Sequence, residues 1–351
     1  MSADEARTLT ERELNRALLA RQLLLARGRS SLPRTLERMG GLQAQYAPSM
    51  YVGLWSRVEG FERDALTRAL ERRTVVQGTL MRTTIHLVSA ADYWPLAIAI
   101  RERRREHWLR ARRRQGFTAR GLAAAARRVR RRLDDEGTIH RRELEEAAGG
   151  GAAGAGGAGV WLDLVRVPPS GTWERRRADL YAAAEDWIGP PETSADEALD
   201  HLVRRYLGGF GPATKHEIAD WAGLTATDLA PALARLRLRR FRAEDGAELL
   251  DLPRAPLPDP DTPAPARFLP VWDATLLVHA RRTGVLREEH RPRIFNVRTP
   301  HSVSTFLVDG VVAGTWRYER GAVKVEPFGR LPRSARAELR EEADRLAELH
   351  G

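Results

Sequence analysis

The segment Gly41-Leu42-Gln43-Ala44-Gln45-Tyr46-Ala47-Pro48 holds the side chains of this sequence best placed to do chemistry. Two glutamines, one residue apart, sit among apolar neighbours and are closed by an x-Pro turn. A carboxamide beside a core is costly unless it is hydrogen-bonded, so Gln43 and Gln45 are either bonds between helices or parts of a site. Other chemistries find little support. The absence of cysteine removes thiolate nucleophiles, disulfides and Cys-ligated zinc or iron–sulfur centres. The nine histidines show no His-Glu-x-x-His or other close ligand spacing, so no metal site is expected. No Walker A loop or Gly-x-Gly-x-x-Gly follows a strand, and the GGGAAGAGG run at 149–157 has no strand before it to make a phosphate loop. No cofactor is expected.

The charge points to a partner. The 351 residues carry a formal net charge of +11, and all but two of the 58 basic side chains are arginine, the lysines being Lys215 and Lys324. GC-rich codon usage produces such a bias without any function. Arginine's planar fork also suits phosphate, and a sequence pI of about 10.8 nominates a polyanion, most commonly nucleic acid. Arg82, His86, Arg298 and His301 lie on or next to predicted hairpins and are the candidates for groove or phosphate contact. His86 on such a strand is more often a structural hydrogen-bonder than a DNA contact. The runs 101–105, 110–114 and 127–132 are solvated helix faces, or, where Arg101, Arg105 and Arg112 align, a phosphate-tracking face. Trp94, Trp108, Trp161, Trp187 and Trp221 sit in apolar contexts and read as core. The opening MSADEARTLTEREL has neither a basic nor an apolar leader segment, and no apolar run approaches a membrane span, so a cytoplasmic protein is expected.

The elements that must position these residues follow from caps, periodicity and turns. Thr10-Glu11-Arg12-Glu13 is a capping box for a helix with Leu14, Leu18 and Leu25 on one face, ending at Gly28. Ser30-Ser31-Leu32-Pro33 starts a second helix that carries Leu36, Met39 and Leu42 toward the glutamines. A third helix, 64–73, precedes strands at 74–77 and 83–88 separated by Gly78-Thr79, and helices followed by a hairpin make a winged-helix pattern. Residues 119–186 repeat it weakly, with strands expected around 161–167 and 171–173. Residues 195–253 repeat it clearly: Thr214–Trp221, a turn at Ala222-Gly223-Leu224 and a helix headed by Thr225 match a helix-turn-helix, although Pro231 sits awkwardly early in the second helix. The 147–159 Ala/Gly stretch reads as mobile, and the Pro-rich 253–267 stretch as a semi-rigid linker. Asp309-Gly310, between alternating apolar runs, predicts a hairpin, and a helix from Ser334 to His350 closes the chain. The expected fold is mainly α with α+β character, three tandem winged-helix units and a β-rich C-terminal segment. The boundaries are 1–118, 119–190 and 191–253 for the three units, 254–267 for the linker and 268–351 for the last segment.

The order of motifs carries a resemblance. Gln-Ala-Gln-Tyr-Ala-Pro, preceded by a Leu-rich helix and followed by Leu-Trp-Ser-Arg, resembles the Gln-x-Gln motif of the AlkZ-type winged-helix DNA glycosylases. Arg82-Thr83-Thr84-Ile85-His86-Leu87 resembles their Arg-x-Thr-x-His-Leu wing strand, and GGFGPATKHEIADWAG, LPVWDATLL and LVDGVVAGTW resemble later blocks. The resemblance implies winged helices curved around double-stranded DNA and hydrolysis of the N-glycosidic bond of alkylated purines. In some members it implies unhooking of interstrand crosslinks and protection of producers of DNA-alkylating natural products. It makes Gln43 and Gln45 the catalytic pair, and since a carboxamide is no base near pH 7, the role expected of them is to hold and orient the attacking water. With no lysine near the motif, a monofunctional enzyme is implied, acting as a monomer in the cytoplasm at the nucleoid. The competing readings are a non-catalytic winged-helix DNA-binding regulator or architectural protein, and winged helices that bind protein.

Overall fold

The computed structural model describes residues 7–277, 279, 282–296 and 301–351. The first part of the chain runs β1 (Thr8–Leu9), α1 (Glu11–Arg21), α2 (Leu32–Met39), β2 (Leu42–Gln43), α3 (Ala47–Trp55), α4 (Arg63–Glu71), β3 (Val75–Thr79) and β4 (Ile85–Ser89). It continues through α5 (Ala90–Ala111), α6 (Ala119–Glu136), β5 (Ile139–His140), α7 (Arg141–Ala148), α8 (Gly151–Leu162), β6 (Leu164–Arg166), β7 (Leu180–Ala183) and α9 (Ala184–Ile188). Then come α10 (Ala195–Phe210), α11 (Lys215–Ala222), α12 (Ala226–Arg235), β8 (Arg239–Ala243) and β9 (Glu248–Asp251). The chain closes with β10 (Arg267–Leu269), α13 (Arg291–Ile294), β11 (Phe295–Asn296), β12 (His301–Ser302), β13 (Thr305–Val308), β14 (Val311–Glu319), β15 (Ala322–Pro327) and α14 (Arg333–His350). The fold is mainly helical, and its sheets are antiparallel except where β1 pairs with β8 in parallel.

Local signals set several of these elements. The Thr10/Glu13 capping box starts α1, with Glu13 N donating to Thr10 Oγ1 and Thr10 N donating to Glu13 Oε2 at 2.8 Å. That helix ends at Arg21 rather than Gly28, because Leu23 turns into the left-handed region at φ 58°. In the third unit, Thr214 and Thr225 head α11 and α12 with capping boxes, and Gly223 at φ 74° makes the turn between them. Pro231 is carried inside α12, so the helix begins at Thr225 and accommodates the missing N–H. Asp309 and Gly310, both at positive φ, form the expected hairpin turn between β13 and β14.

Tertiary contacts set the rest. The expected second helix does not reach Leu42. Gly40 and Gly41, at φ 77° and 81°, stop it and turn the chain into β2. A side chain at Gly41 would meet Val88 Cγ1 at 2.9 Å and the Leu87 carbonyl at 3.0 Å, so only glycine lets β2 lie against β4. The first hairpin turns at Leu80–Thr84 rather than at Gly78-Thr79. In the second unit the closing strand is β7, not the expected 171–173. The hairpins of the first and second units then join in one six-stranded sheet, ordered β2-β4-β3-β6-β7-β5, through pairing of Gln77 with Arg166 and Gly78 with Val165.

The Ala/Gly stretch is not mobile. It forms α8, and its small residues permit close packing: a Cβ on Gly157 would stand 2.4 Å from Leu122 Cδ2 and 2.9 Å from the Trp108 ring. The Pro-rich stretch is not a free linker either, since its carbonyls at Pro256, Pro260 and Thr262 accept hydrogen bonds from Arg21, Arg12 and Arg16 of α1. The C-terminal sheet, ordered β10-β13-β14-β15, is backed by α14 and shares a core with α2 and α3 through Met50, Phe268, Phe306, Trp316 and Leu346.

Candidate active site

The two glutamines come from a strand at the edge of the six-stranded sheet. Along β2 and its extension Leu42 and Ala44 are buried, while Gln43 is half-buried and Gln45 exposed. Side chains alternate along a strand, so Gln43 lies on the face opposite that core, and Gln45 follows in the exposed bend that leads into α3. The backbone is fixed: Leu42 pairs with Leu87, Gln43 with His86, and Ala44 N donates to the Ile85 carbonyl at 2.7 Å. The side chains are left open. Among the described residues neither amide has a hydrogen-bond partner, so they are not bonds between helices.

His86 stands directly across from Gln43, where antiparallel partners share a face. It is 3% exposed, and burial, with the nearby Arg82 charge, pushes its pKa down to about 3, so the ring is neutral at pH 7. Its Nδ1 lies 3.1 Å from the Thr84 carbonyl, which can only accept. That assigns the proton to Nδ1 and leaves a lone pair on Nε2. Beyond His86 the row reaches Gly78, where the Tyr93 ring fills the missing side chain's space: a Cβ there would be 2.4 Å from Tyr93 Cε2.

Arg82 sits at φ 53° in the turn between β3 and β4. Its Nη1 donates to the Trp221 carbonyl at the end of α11, and its backbone packs 3.4 Å from where a side chain on Gly223 would be. Burial lowers its pKa. In this structure Arg82 and His86 therefore do not reach outward as groove contacts would: His86 is buried in the sheet, and Arg82 ties the first hairpin to the end of α11. Arg298 lies outside the described residues, and His301 is described only as part of β12, paired with Asn296.

Sequence reasoning missed His279. It is 3% exposed, its ring meets Phe210 and Tyr206 edge-on at 5.0 and 5.9 Å, and its carbonyl accepts from the Tyr206 hydroxyl. Neither ring nitrogen has a partner among the described residues, and burial, then the charge of Arg82, pushes its pKa well below the ordinary histidine value. The only sequence signal was a lone histidine following Leu276 and Leu277.

The arginine runs also have unexpected partners. Arg101 and Arg104 both bind Asp163, Arg105 donates to the Trp161 carbonyl, and Arg112 covers the Trp108 ring at 4.7 Å. Arg101 and Arg105 thus tie the end of α8 to α5 instead of tracking phosphates, while Arg112 covers a ring of its own helix. Among the described residues no cluster of His, Asp or Glu could hold a metal ion, and no helix is long and apolar enough to cross a membrane.

Comparison with known proteins places this geometry. The family model of AlkZ-like DNA glycosylases matches residues 36–349, a span that includes both glutamines and the closing helix. The chain belongs to the AlkZ-like DNA glycosylase family. A curated relative of this AlkZ-like chain, an interstrand DNA cross-link repair glycosylase from Streptomyces sahachiroi, is 24% identical over 363 residues, covering 95% of this chain and 94% of the relative. The solved structure of the DNA glycosylase AlkZ from Streptomyces sahachiroi superposes with a TM-score of 0.81 at 20% identity, covering 97% of both chains. The AlkZ-like chain therefore shares that fold from end to end.

Proposed function

We propose that this protein is a monofunctional DNA glycosylase that hydrolyses the N-glycosidic bond of purines made cationic by alkylation at N7 or N3, in double-stranded DNA. The observation that carries this reading is the pair of carboxamides at the end of an edge strand and in the bend that follows it, left without hydrogen-bond partners among the described residues. A carboxamide is no base near pH 7, so the motif suits a substrate that needs none. An N7-alkylated purine already carries positive charge and departs without protonation. What remains is to hold water against C1′ while positive charge develops on the sugar, and amide oxygens at Gln43 and Gln45 do both. The buried neutral His86 beside Gln43 adds no competing cation. The reading calls for no cofactor, and no lysine stands by the motif to form a Schiff base.

The relative's name, an interstrand cross-link repair glycosylase, supports crosslinked alkylated purines as part of the substrate range. The helix-and-hairpin groups ending in β3–β4, β6–β7 and β8–β9 read as three winged-helix units, with the first presenting the glutamines to the duplex. A monomer acting on the chromosome in the cytoplasm, with DNA as its partner, fits this arrangement.

The test is base release. Duplex DNA carrying N7-methylguanine should yield abasic sites with the wild-type protein, and a Gln43→Ala/Gln45→Ala variant should be slower by at least about 100-fold, the usual effect of removing positioned polar groups. Efficient release of neutral uracil, or undiminished release by the double variant, overturns the mechanism. Tight sequence-selective binding with intact DNA across several alkylated substrates would instead establish a regulator.

A further inference from the structure

Immediately beyond Gln45 the surface opens into a groove of about 290 Å3 that the proposed chemistry does not use. It is lined by Tyr46 from the head of α3, Trp173 and Arg176 from the loop before β7, Trp316 and Tyr318 from β14, and His350 from the end of α14. Four elements separated in sequence supply one aromatic surface. Tyr46 is 46% exposed and Tyr318 36%, which makes them two of the three most exposed large apolar side chains described. His350 stacks on one face of Tyr318, with centroids 4.2 Å apart and planes at 15°, and Trp173 and Trp316 meet the same histidine edge-on at 5.1 and 6.1 Å.

Charge and unsatisfied polar atoms add specificity. No carboxylate lines the groove. Arg176 has no carboxylate partner among the described residues; its Nη1 donates to the Tyr46 hydroxyl at 3.3 Å, at the residue next to Gln45. Ser49, 6% exposed, lines the groove with a buried Oγ that has no hydrogen-bond partner, and His350 Nε2 is buried and unpartnered in the same way. A buried polar atom without a partner is destabilising unless something completes it. The groove therefore offers flat aromatic faces, two unfulfilled hydrogen-bonding atoms and one unneutralised guanidinium.

We propose that this groove receives one unpaired nucleotide of the DNA, its base stacked against Tyr318 and Tyr46 and its phosphate held by Arg176. Aromatic faces accept any base, an arginine fork matches a phosphate, and Ser49 Oγ and His350 Nε2 can meet polar atoms on a base edge. A duplex gives up a nucleotide only at the cost of unpairing and unstacking, and this surface is built to offset that cost. The inference rests on the glycosylase reading, because it supposes that the partner is DNA held across Gln43 and Gln45.

The experiment compares two duplexes that differ only by a single bulged 2-aminopurine. The wild-type protein binds the bulged duplex more tightly, by about five- to a hundred-fold for one stacked base, and alters the probe's fluorescence. Tyr318→Ala abolishes both effects, Tyr318→Trp restores them, and Arg176→Gln weakens the preference. The Gln43→Ala/Gln45→Ala variant keeps the preference. Equal affinity for both duplexes, or a preference that survives Tyr318→Ala together with Arg176→Gln, overturns the proposal. Thermal unfolding of each variant confirms that it is folded. The two readings fail separately: bulge preference without base release from N7-methylguanine refutes only the enzyme, and base release without bulge preference refutes only the groove.

Discussion

Two neighbouring glycines of α8 should respond differently to the same substitution, one gaining stability and the other gaining none. A methyl group at Gly156 enters nearly open space, its nearest neighbour being Trp108 Nε1 at 3.9 Å. At Gly157 it would lie 2.4 Å from Leu122 Cδ2 and 2.9 Å from two carbons of the Trp108 ring, inside a packed contact between α8, α6 and the end of α5. Glycine-to-alanine within a helix stabilises by about 0.8–1.0 kcal/mol in both cases. At Gly156 that gain stands alone. At Gly157 overpacking of about 1–3 kcal/mol opposes it, so the net effect runs from neutral to a loss of about 2 kcal/mol. The difference between the two variants isolates the clash, since helix propensity cancels. Urea unfolding followed by circular dichroism measures it as a shift in midpoint at constant slope. In thermal unfolding each kcal/mol moves the midpoint of a chain this long by only about 1–2 °C, so the chemical titration is the better assay. Equal stabilisation by both substitutions would refute a packed α8 and restore a mobile Ala/Gly segment.

Two further outcomes are expected. Arg21 and Asp251 form a fully buried ion pair at 2.7 Å, but Asp251 also accepts from Arg239 at 2.8 Å, so Arg21→Met should cost about 3 kcal/mol, the low end for breaking a buried pair; a loss below about 1 kcal/mol in urea titrations would show that the pair is not the tie it looks to be. His86, with its pKa pushed down to about 3, contributes stability that is complete above pH 6.5 and is lost as the pH falls toward 3, because the unfolded chain takes up the proton first. Between pH 6.5 and 4 the wild type should therefore lose about 3 kcal/mol more than His86→Gln, and a stability gap between them that does not change with pH would contradict the buried neutral ring.

The elements legible in the sequence are those fixed by chemistry a few residues long. The capping box at Thr10, the helices headed by Thr214 and Thr225, the Gly223 turn and the Asp309-Gly310 hairpin all announce themselves locally and appear where they were expected. The Gln43/Gln45 pair was legible as types and spacing, and its open amides required the edge-strand geometry to be seen. The failures come from distance. Ala/Gly composition cannot show that Trp108 and Leu122 stand where a bare helix face can press against them. The Gly40-Gly41 break was in plain sight, yet the spacing of Leu36, Met39 and Leu42 argued for continuing the helix. Arginine was weighed as codon bias or phosphate contact, while Arg16, Arg21 and Arg57 are buried core residues whose carboxylate partners lie more than 200 positions away. Trp108 and Trp221 are buried as expected, whereas Trp94, Trp161 and Trp187 are only partly so, each with an exposed edge.

The clasp on α1 bears on how the protein is made. Arg21 meets Asp251 some 230 residues later, and Asn15 meets the Gly310 carbonyl 295 residues later. At about 5–20 residues per second, those partners leave the ribosome from about 12 seconds to about a minute after the helix itself. Throughout that interval α1 presents two arginines and an asparagine destined for burial, while the carboxylates that bind the arginines and the carbonyl that binds the asparagine are still to be made. The beginning of the chain can be finished only by its end.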